Sequence, residues 1–400
     1  MHKRSLGLTL FSGLAIIVTA CGGGGTPAPS SGGASQPASA PASAPASAPA
    51  SEPASAPASG SALKPIKVGV VTDVGQLEDK SFNQSSNEGA LAAATESGGS
   101  HDVIVTQAIS DYAANIQTFI DADFDVIVTV GFLIGTDTAK AAKANPDIKF
   151  IGVDQGVCVD ETGAPDPTFG CKGDAATLIP NYQGIVFAEA QPGYLAGIIA
   201  GSLNKSGTIG AIGGTNVPAV VNYWRGYENG AKSIKPDIKV LYQETDPDPV
   251  KGFNDQSKGK TIANQFMDQG ADVLFQVAGL TGQGVLEAVC AKGGVWGIGV
   301  DVDQAVSLPN LSKCIVTSAE KKLVDTVKAV VLSVASDTFT AGTVAYNAGS
   351  TPPAIGLSDY HDNASLITPE IQAKVDTALA ALTDGSLDPC APIKCTVAGK

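Results

Sequence analysis

The stretch Ile66-Lys67-Val68-Gly69-Val70-Val71-Thr72-Asp73 is a β-branched run that ends in a polar turn. Such a run predicts a buried β-strand. Comparable apolar runs follow at residues 103–105, 125–130, 149–154, 208–212, 238–242, 273–277, 296–301 and 314–317. Alanine-rich segments of helical length separate them, at residues 84–97, 134–144, 191–203, 220–234, 261–269, 284–291 and 320–336. This alternation predicts an α/β protein with doubly wound parallel sheets and helices on both faces.

The positions that directly follow the predicted strands are the first candidates for a binding site. In open parallel sheets, ligands bind beyond the carboxyl ends of the strands. A chain of 400 residues is also too long for one hydrophobic core and favours two domains. The strand-end residues are Asp73, Gly131, Asp154, Gly213, Gly279 and Asp301.

Composition excludes several classes of protein. The chain has 25 basic and 39 acidic residues, a net charge of −14, which argues against binding to nucleic acid or to anionic lipid. Three histidines leave little material for a metal site or a catalytic triad. The glycine string at 279–284 is spaced G-x-x-G-x-G rather than G-x-G-x-x-G, and no phosphate-binding loop or nucleophile-elbow motif occurs. We therefore expect neither an enzyme nor a cofactor.

The N-terminal segment is predicted to be a targeting signal. Lys3 and Arg4 precede an uncharged, apolar stretch at residues 5–20, which predicts a signal peptide over residues 1–20. The following Val18-Thr19-Ala20-Cys21 is similar to a bacterial lipobox, which predicts lipid attachment at Cys21. An ordinary signal peptide with an incidental cysteine is the alternative. Residues 21–62 are rich in Pro, Ala, Ser and Gly and predict a disordered linker that tethers the protein to the outer face of the cell membrane.

The cysteine content agrees with an exported protein. Seven cysteines minus Cys21 leave six, which allow fifteen disulfide pairings. Proximity along the chain favours Cys158–Cys171, Cys290–Cys314 and Cys390–Cys395. A zinc site is the alternative, although the spacings contain no CxxC pair.

Several motifs in a fixed order suggest a family. They are residues 68–75, 79–84, 187–197, 213–214, 226–227, 258–260, 269–273, 278–279 and 299–304. Together they resemble the basic membrane protein (BMP) lipoproteins, which are substrate-binding components of ABC importers. The best-understood members of that family are purine nucleoside receptors. The resemblance covers residues 66–335.

This resemblance implies a periplasmic-binding-protein type I fold, with two doubly wound parallel-sheet lobes joined by a hinge. We expect the N-terminal lobe to comprise residues 63–187 plus about 305–340, and the C-terminal lobe 188–304 plus about 341–400. A ligand would be enclosed between the lobes and passed to a membrane permease. No covalent chemistry is required of such a protein.

The resemblance also implies ligand-binding residues. Asp73 would contact the base, Phe82 and Phe253 would stack on it, and Asp301 would bind the ribose. A lysine early in the helix after residue 317 would be Lys322, with Lys321 as a competing choice. Three further residues complete the predicted site: Asn83, Asp154 and Gly279.

Each of these residue types also has a structural use. A strand-end aspartate often caps a helix, a phenylalanine often belongs to the core, and a helical lysine is often only solvated. Tyr223, Trp224 and Tyr227 have helical spacing, which favours a packing role. A receptor for sugars or other small molecules, or a sensor or adhesin on the same fold, therefore remains an alternative to a nucleoside receptor.

Overall fold

In a computed structural model, residues 63–166 and 170–395 are described. The predicted signal peptide at 1–20, the lipidated Cys21 and the linker over 21–62 lie outside these residues. Within the described part of the chain, none of the helices combines the length and apolar character that a membrane span requires.

The first sheet consists of six parallel strands. These are β1 (Lys67–Val71), β2 (Ser100–Ile104), β3 (Val126–Val130), β4 (Lys149–Val153), β5 (Tyr182–Phe187) and β11 (Gly342–Tyr346). Their order in the sheet is β11-β5-β4-β3-β1-β2. The central strand β3 is buried at every position, as expected for a parallel sheet that is covered on both faces.

The second sheet has the same number of strands and the same parallel core. Its strands are β6 (Thr208–Gly213), β7 (Lys239–Glu244), β8 (Val273–Val277), β9 (Trp296–Asp301), β10 (Ile315–Lys321) and β12 (Ile355–Leu357). The order is β12-β10-β9-β8-β6-β7, and only the edge strand β12 is antiparallel to its neighbour. The expected doubly wound α/β architecture is confirmed.

Twelve α-helices in the described residues connect or cover the strands. They are α1 (Phe82–Ser97), α2 (Tyr112–Asp121), α3 (Gly135–Ala144), α4 (Ala175–Leu178), α5 (Ala190–Leu203), α6 (Pro218–Ile234), α7 (Pro249–Gly252), α8 (Gln256–Asp268), α9 (Gly279–Lys292), α10 (Gln304–Ser307), α11 (Leu323–Ala335) and α12 (Pro369–Thr383). The sequence patterns did not predict β5, β11 and β12, nor the helices α2, α4, α7, α10 and α12.

Two of the expected lobe boundaries were wrong. Strand β10 pairs with β9 in the second sheet, so residues 315–321 do not belong to the N-terminal lobe. Strand β11 pairs with β5 in the first sheet, so residues 342–346 do not belong to the C-terminal lobe. Helix α11 does pack on α1 of the first lobe. The reason is that strand pairing depends on hydrogen bonds between segments that are distant along the chain, which the local sequence pattern does not encode.

The chain therefore passes between the lobes three times. The first connection lies between β5 and α5, the second between β10 and α11, and the third between β11 and β12. Main-chain hydrogen bonds tie these connections together: Ala188 N–H donates to Tyr346 O, and Lys322 N–H donates to Ala354 O, each at 2.9 Å. The three connections are therefore adjacent, as expected for a hinge between the lobes.

Three disulfides are present in the described residues. They join Cys158 to Cys171, Cys290 to Cys314, and Cys390 to Cys395. Each links cysteines that are close in the sequence, which is the pairing that proximity favoured.

Candidate functional site

A cavity of about 750 Å³, part of which is open to solvent, lies between the two sheets at the carboxyl ends of their strands. Seven of the eight residues expected at the site line the cavity: Asp73, Phe82, Asn83, Asp154, Phe253, Gly279 and Asp301. The sheet edges, rather than sequence proximity, bring these side chains together.

Asp73 follows β1 and is oriented by two donors. Tyr112 O–H and the main-chain N–H of Val74 both donate to its Oδ1. Burial raises the pKa of Asp73 to about 6, although the hydrogen bond from Tyr112 opposes this shift. The other oxygen, Oδ2, lies against Gly131, where an added Cβ would be only 1.9 Å away. Gly131 therefore makes room for the carboxylate.

A short loop before α1 positions Phe82 and Asn83. The carboxylate of Asp79 accepts the main-chain N–H groups of Ser81 and Asn83 at 2.9 Å each, which caps the helix. Burial raises the pKa of Asp79 to about 6, against the effect of these hydrogen bonds. The side chain of Asn83 accepts the main-chain N–H of Asp73 at 3.2 Å and so ties the helix to the end of β1.

Aromatic rings reach the cavity from both lobes. Phe82 begins α1 in the first lobe, and Phe253 directly follows α7 in the second lobe. Phe132 and Tyr223 also line the cavity. Phe132 was not among the residues predicted for the site, and the helical spacing of Tyr223 had favoured a packing role. The position of Phe132, directly after the strand-end Gly131, was the signal that could have revealed it.

Lys321 is the cation at the centre of the site. Its Nζ lies 2.5 Å from Asp154 Oδ2 and 3.4 Å from Glu189 Oε1. Only 2% of the Lys321 side chain is exposed, against 8% for Asp154 and 6% for Glu189. Burial alone would lower the pKa of Lys321, but these carboxylates and Asp301 reverse that effect, and the pKa is raised.

The choice of Lys322 was wrong. Lys321 is the last residue of β10 and lines the cavity, whereas Lys322 caps α11. The ammonium of Lys322 pairs with Glu320 at 2.5 Å, and 44% of its side chain is exposed. The predicted helix at 320–336 began too early, because the strand continues to Lys321 and neighbouring side chains of an extended chain point in opposite directions.

Asp301 connects the two lobes. Ser81 Oγ, from the loop before α1, donates to Asp301 Oδ2 at 2.7 Å. Tyr223 O–H, from α6 of the second lobe, donates to Asp301 Oδ1 at 3.4 Å. Burial raises the pKa of Asp301, while Lys321 and Ser81 oppose this rise.

Two aspartates of the site have unusual backbone conformations. Asp154 and Asp301 adopt φ values of +57° and +64°, in the left-handed region that L-residues avoid. Such conformations cluster at functional sites, where the surrounding structure enforces them. In addition, Asp154 Oδ1 is buried and has no hydrogen-bond partner among the described residues. This oxygen is therefore positioned to accept a donor from a ligand.

Glu189 is a further charged residue that sequence analysis did not assign to the site. It precedes α5 in the first connection and does not itself line the cavity. Burial raises the pKa of Glu189 to about 7, Lys321 opposes the rise, and Asp154 adds to it. Its position two residues after Phe187, within one of the quoted motifs, was the available signal.

The site is suited to binding rather than to catalysis. Its carboxylates and lysine can hold hydroxyl and amino groups, and its rings can stack on a planar or apolar face. Among residues 63–166 and 170–395, no cluster of three potential metal ligands occurs.

A family model described as "ABC transporter substrate-binding protein PnrA-like" matches residues 66–377. The nucleoside-binding protein BmpA of an ABC transporter in Lactococcus lactis is 32% identical over 340 residues, covering 80% of this chain and 88% of the relative. Basic membrane protein B of Borreliella burgdorferi is 32% identical over 270 residues, covering 66% and 72%.

Solved structures confirm the expected periplasmic-binding-protein type of fold. An ABC transporter solute-binding protein from Aeropyrum pernix gives a TM-score of 0.68 at 24% identity, covering 81% of this chain and 93% of that chain. A similar protein from Conexibacter woesei gives 0.60 at 25% identity, covering 81% and 98%.

The matched family consists of solute-binding proteins, so the expectation of a protein that is not an enzyme is confirmed. The family model spans most of the chain, including every residue that lines the cavity. This protein belongs to the PnrA-like family of ABC transporter substrate-binding proteins.

Proposed function

We propose that this protein is a lipid-anchored receptor that binds purine nucleosides between its lobes and delivers them to the permease of an ABC importer. The observation that carries the proposal is the composition of the cavity, where Phe82 and Phe253 come from opposite lobes and carboxylates surround one buried lysine. The nucleoside-binding relative from Lactococcus lactis supports the same ligand class.

The two phenylalanines would hold the base. A purine is flat and apolar on both faces, and each stacked ring contributes about 1–3 kcal/mol. Because Phe82 and Phe253 belong to different lobes, a base between them would gain both contacts only when the lobes are closed. Asp73, which is held by Tyr112, would accept a donor on the edge of the base.

The acidic groups around Lys321 would hold the ribose. Asp154 and Asp301 can accept hydrogen bonds from hydroxyl groups, and the Lys321 ammonium can donate to them. The same carboxylates repel a phosphate group. We therefore expect nucleosides to bind far more tightly than the corresponding nucleotides.

Calorimetric titration tests the ligand class. The mature protein should bind at least one of adenosine, guanosine and inosine in preference to uridine and free ribose, and should bind adenosine far more tightly than AMP. Ribose binding more tightly than every nucleoside would instead identify a sugar receptor. Equal affinity for adenosine and AMP would contradict the proposed role of the carboxylates.

Substitution of Phe82 tests the site. Phe82→Ala should lower nucleoside affinity by about tenfold, as expected for the loss of one stacked ring. Phe124→Ala is the matched control, because Phe124 is a partly buried phenylalanine of the core that does not line the cavity. If the two variants lose affinity equally, Phe82 does not contact the ligand.

The anchor requires its own test. We propose that Cys21 carries the lipid, and Cys21→Ser should then abolish incorporation of labelled palmitate and release the protein from the membrane fraction of an expressing bacterium. Unchanged labelling of the Cys21→Ser variant would exclude this site of attachment.

A further inference from the structure

Glu189 is a buried carboxylate that contacts Lys321 of the binding site from outside the cavity. It lies in the first connection, directly before α5, and only 6% of its side chain is exposed. It does not line the cavity, so it would not touch a ligand there. A buried carboxylate in such a position requires partners that compensate for its lost hydration.

Those partners come from two other elements. Glu189 Oε1 lies 3.4 Å from the ammonium of Lys321 at the end of β10. Glu189 Oε2 accepts a hydrogen bond from Asn222 Nδ2 at 3.3 Å, and Asn222 lies on α6, which also contributes Tyr223 to the cavity. Glu189, in the first connection, thereby contacts both the residue that precedes the second connection and a helix of the second lobe.

The two carboxylates that hold Lys321 differ in where they are attached. Asp154 follows β4 of the first lobe, so its contact with Lys321 crosses between the lobes. Glu189 directly precedes α5, which packs on β10 within the second lobe. A separation of the lobes would therefore stretch the contact of Lys321 with Asp154 but leave its contact with Glu189 in place.

We propose that Glu189 is a positioning residue, which holds the ammonium of Lys321 in the site when the lobes separate so that it meets Asp154 and the ligand on closure. Asp301 of the second lobe would also stay near the ammonium on separation, but Glu189 is the carboxylate of that lobe that contacts it directly, at 3.4 Å. With Glu189 beside it, Lys321 is already ordered, and binding does not have to supply the free energy of ordering a long side chain.

This inference rests on the proposed function only for its ligand. If Lys321 donates to ribose hydroxyls, Glu189→Gln should weaken binding of adenosine by roughly tenfold, the size expected for a disturbed hydrogen bond from a charged group. Binding of 2′,3′-dideoxyadenosine, which lacks those hydroxyls, should change by less than about twofold. Calorimetry of both ligands with the mature protein measures the difference.

A second measurement needs no ligand. Acetic anhydride acetylates accessible lysines, and peptide mass spectrometry gives the rate at each position. In the unliganded protein, Lys321 should react slowly, because its ammonium is held inside the site. Glu189→Gln should accelerate acetylation of Lys321 about tenfold or more, because the ammonium would be exposed to solvent for a larger fraction of the time. Lys322 should react at the same rate in both proteins.

Glu320→Gln is the matched control. Glu320 is also a buried carboxylate that pairs with a lysine, but its partner Lys322 lies outside the cavity. This variant should leave adenosine affinity and Lys321 acetylation unchanged. Asn222→Ala, which removes the other partner of Glu189, should act in the same direction as Glu189→Gln but more weakly. Thermal unfolding of each variant checks that it is folded.

These measurements distinguish a failure of the positioning role of Glu189 from a failure of the proposed nucleoside ligand. Unchanged Lys321 acetylation together with unchanged discrimination between the two nucleosides in Glu189→Gln would overturn the positioning role. Failure of the unsubstituted protein to bind any nucleoside, with faster acetylation in Glu189→Gln, would overturn the proposed ligand and retain the positioning role.

Discussion

The ammonium of Lys321 lies 2.5 Å from Asp154 Oδ2, although the two residues are attached to different lobes. A buried ion pair of this kind contributes little net stability, because the cost of desolvating both charges offsets their attraction. Removing one partner, however, leaves a buried uncompensated charge. The pair therefore acts mainly as a geometric constraint, which is satisfied only when the lobes approach each other.

Substitution of the two neighbouring lysines should separate their roles. Lys321→Met retains most of the side-chain volume but removes the charge, and we expect nucleoside affinity to fall by about 100-fold, as for the loss of one charged hydrogen-bond donor. Lys322→Met should leave affinity unchanged, because Lys322 pairs with Glu320 outside the cavity. Calorimetry measures both. Equal losses in the two variants would contradict the assignment of Lys321.

Asp73 should reduce the stability of the unliganded protein at neutral pH. Its pKa is raised from 3.8 to about 6, so folding favours the protonated form of the carboxyl group. The favourable contribution of protonated Asp73 to the free energy of unfolding is therefore lost as pH rises from about 4 to about 6. Asp73→Asn should therefore raise the free energy of unfolding at pH 7 by roughly 1–2 kcal/mol, with the gain shrinking below pH 6. Urea unfolding at pH 7 and pH 4.5 measures it. A stability gain in Asp73→Asn that is larger at pH 4.5 than at pH 7 would contradict the predicted direction of the pH dependence.

The hydrogen bond from Ser81 to Asp301 should slow the release of ligand. Ser81→Ala removes a 2.7 Å contact between the lobes, and we expect the dissociation rate of the nucleoside to rise by about fivefold to tenfold. Stopped-flow displacement measures this rate. Ser97→Ala is the control, because Ser97 is a buried serine at the far end of α1 whose hydroxyl donates to Ala94 O of the same helix. A similar acceleration in both variants would show that the effect is general.

Gly131 should be intolerant of a side chain for two separable reasons. Its φ is +97°, and an added Cβ would lie 1.9 Å from Asp73 Oδ2. Gly98 has a φ of +75° but no atom within 4 Å of an added Cβ. Gly98→Ala should therefore cost only about 1 kcal/mol of stability, from backbone strain, and leave binding intact.

Gly131→Ala should carry the same strain and also displace Asp73. We expect it to weaken nucleoside binding by at least about tenfold, because the base-contacting carboxylate would move. Thermal unfolding and calorimetry of both alanine variants measure the two effects. Unchanged nucleoside affinity in Gly131→Ala would show that the position of Asp73 is not important for binding.

Much of the site could be predicted because it consists of strand-end residues. Asp73 and Asp154 follow β1 and β4, and Asp301 is the last residue of β9; each of these strands has an apolar pattern that sequence alone reveals. In parallel sheets the carboxyl ends of strands meet at one edge, so their positions along the chain predict that they converge.

The choice between Lys321 and Lys322 could not be made in this way. It depends on the residue at which β10 ends, and all seven residues of that strand are buried, including its polar ones. The polar residues within β10 therefore gave a false signal that the strand ended at 317. Glu189 and Tyr112 were missed for a related reason, since each acts through a contact with a residue far away in the sequence.

The sequence by itself determined the alternation of strands and helices, the residues that end the strands, and the family, because these follow from local periodicity and from motifs in a fixed order. The tertiary structure decided which sheet takes up β10 and β11, and which lysine enters the cavity. Both outcomes depend on hydrogen bonds and packing between segments that are distant along the chain, which no local pattern encodes.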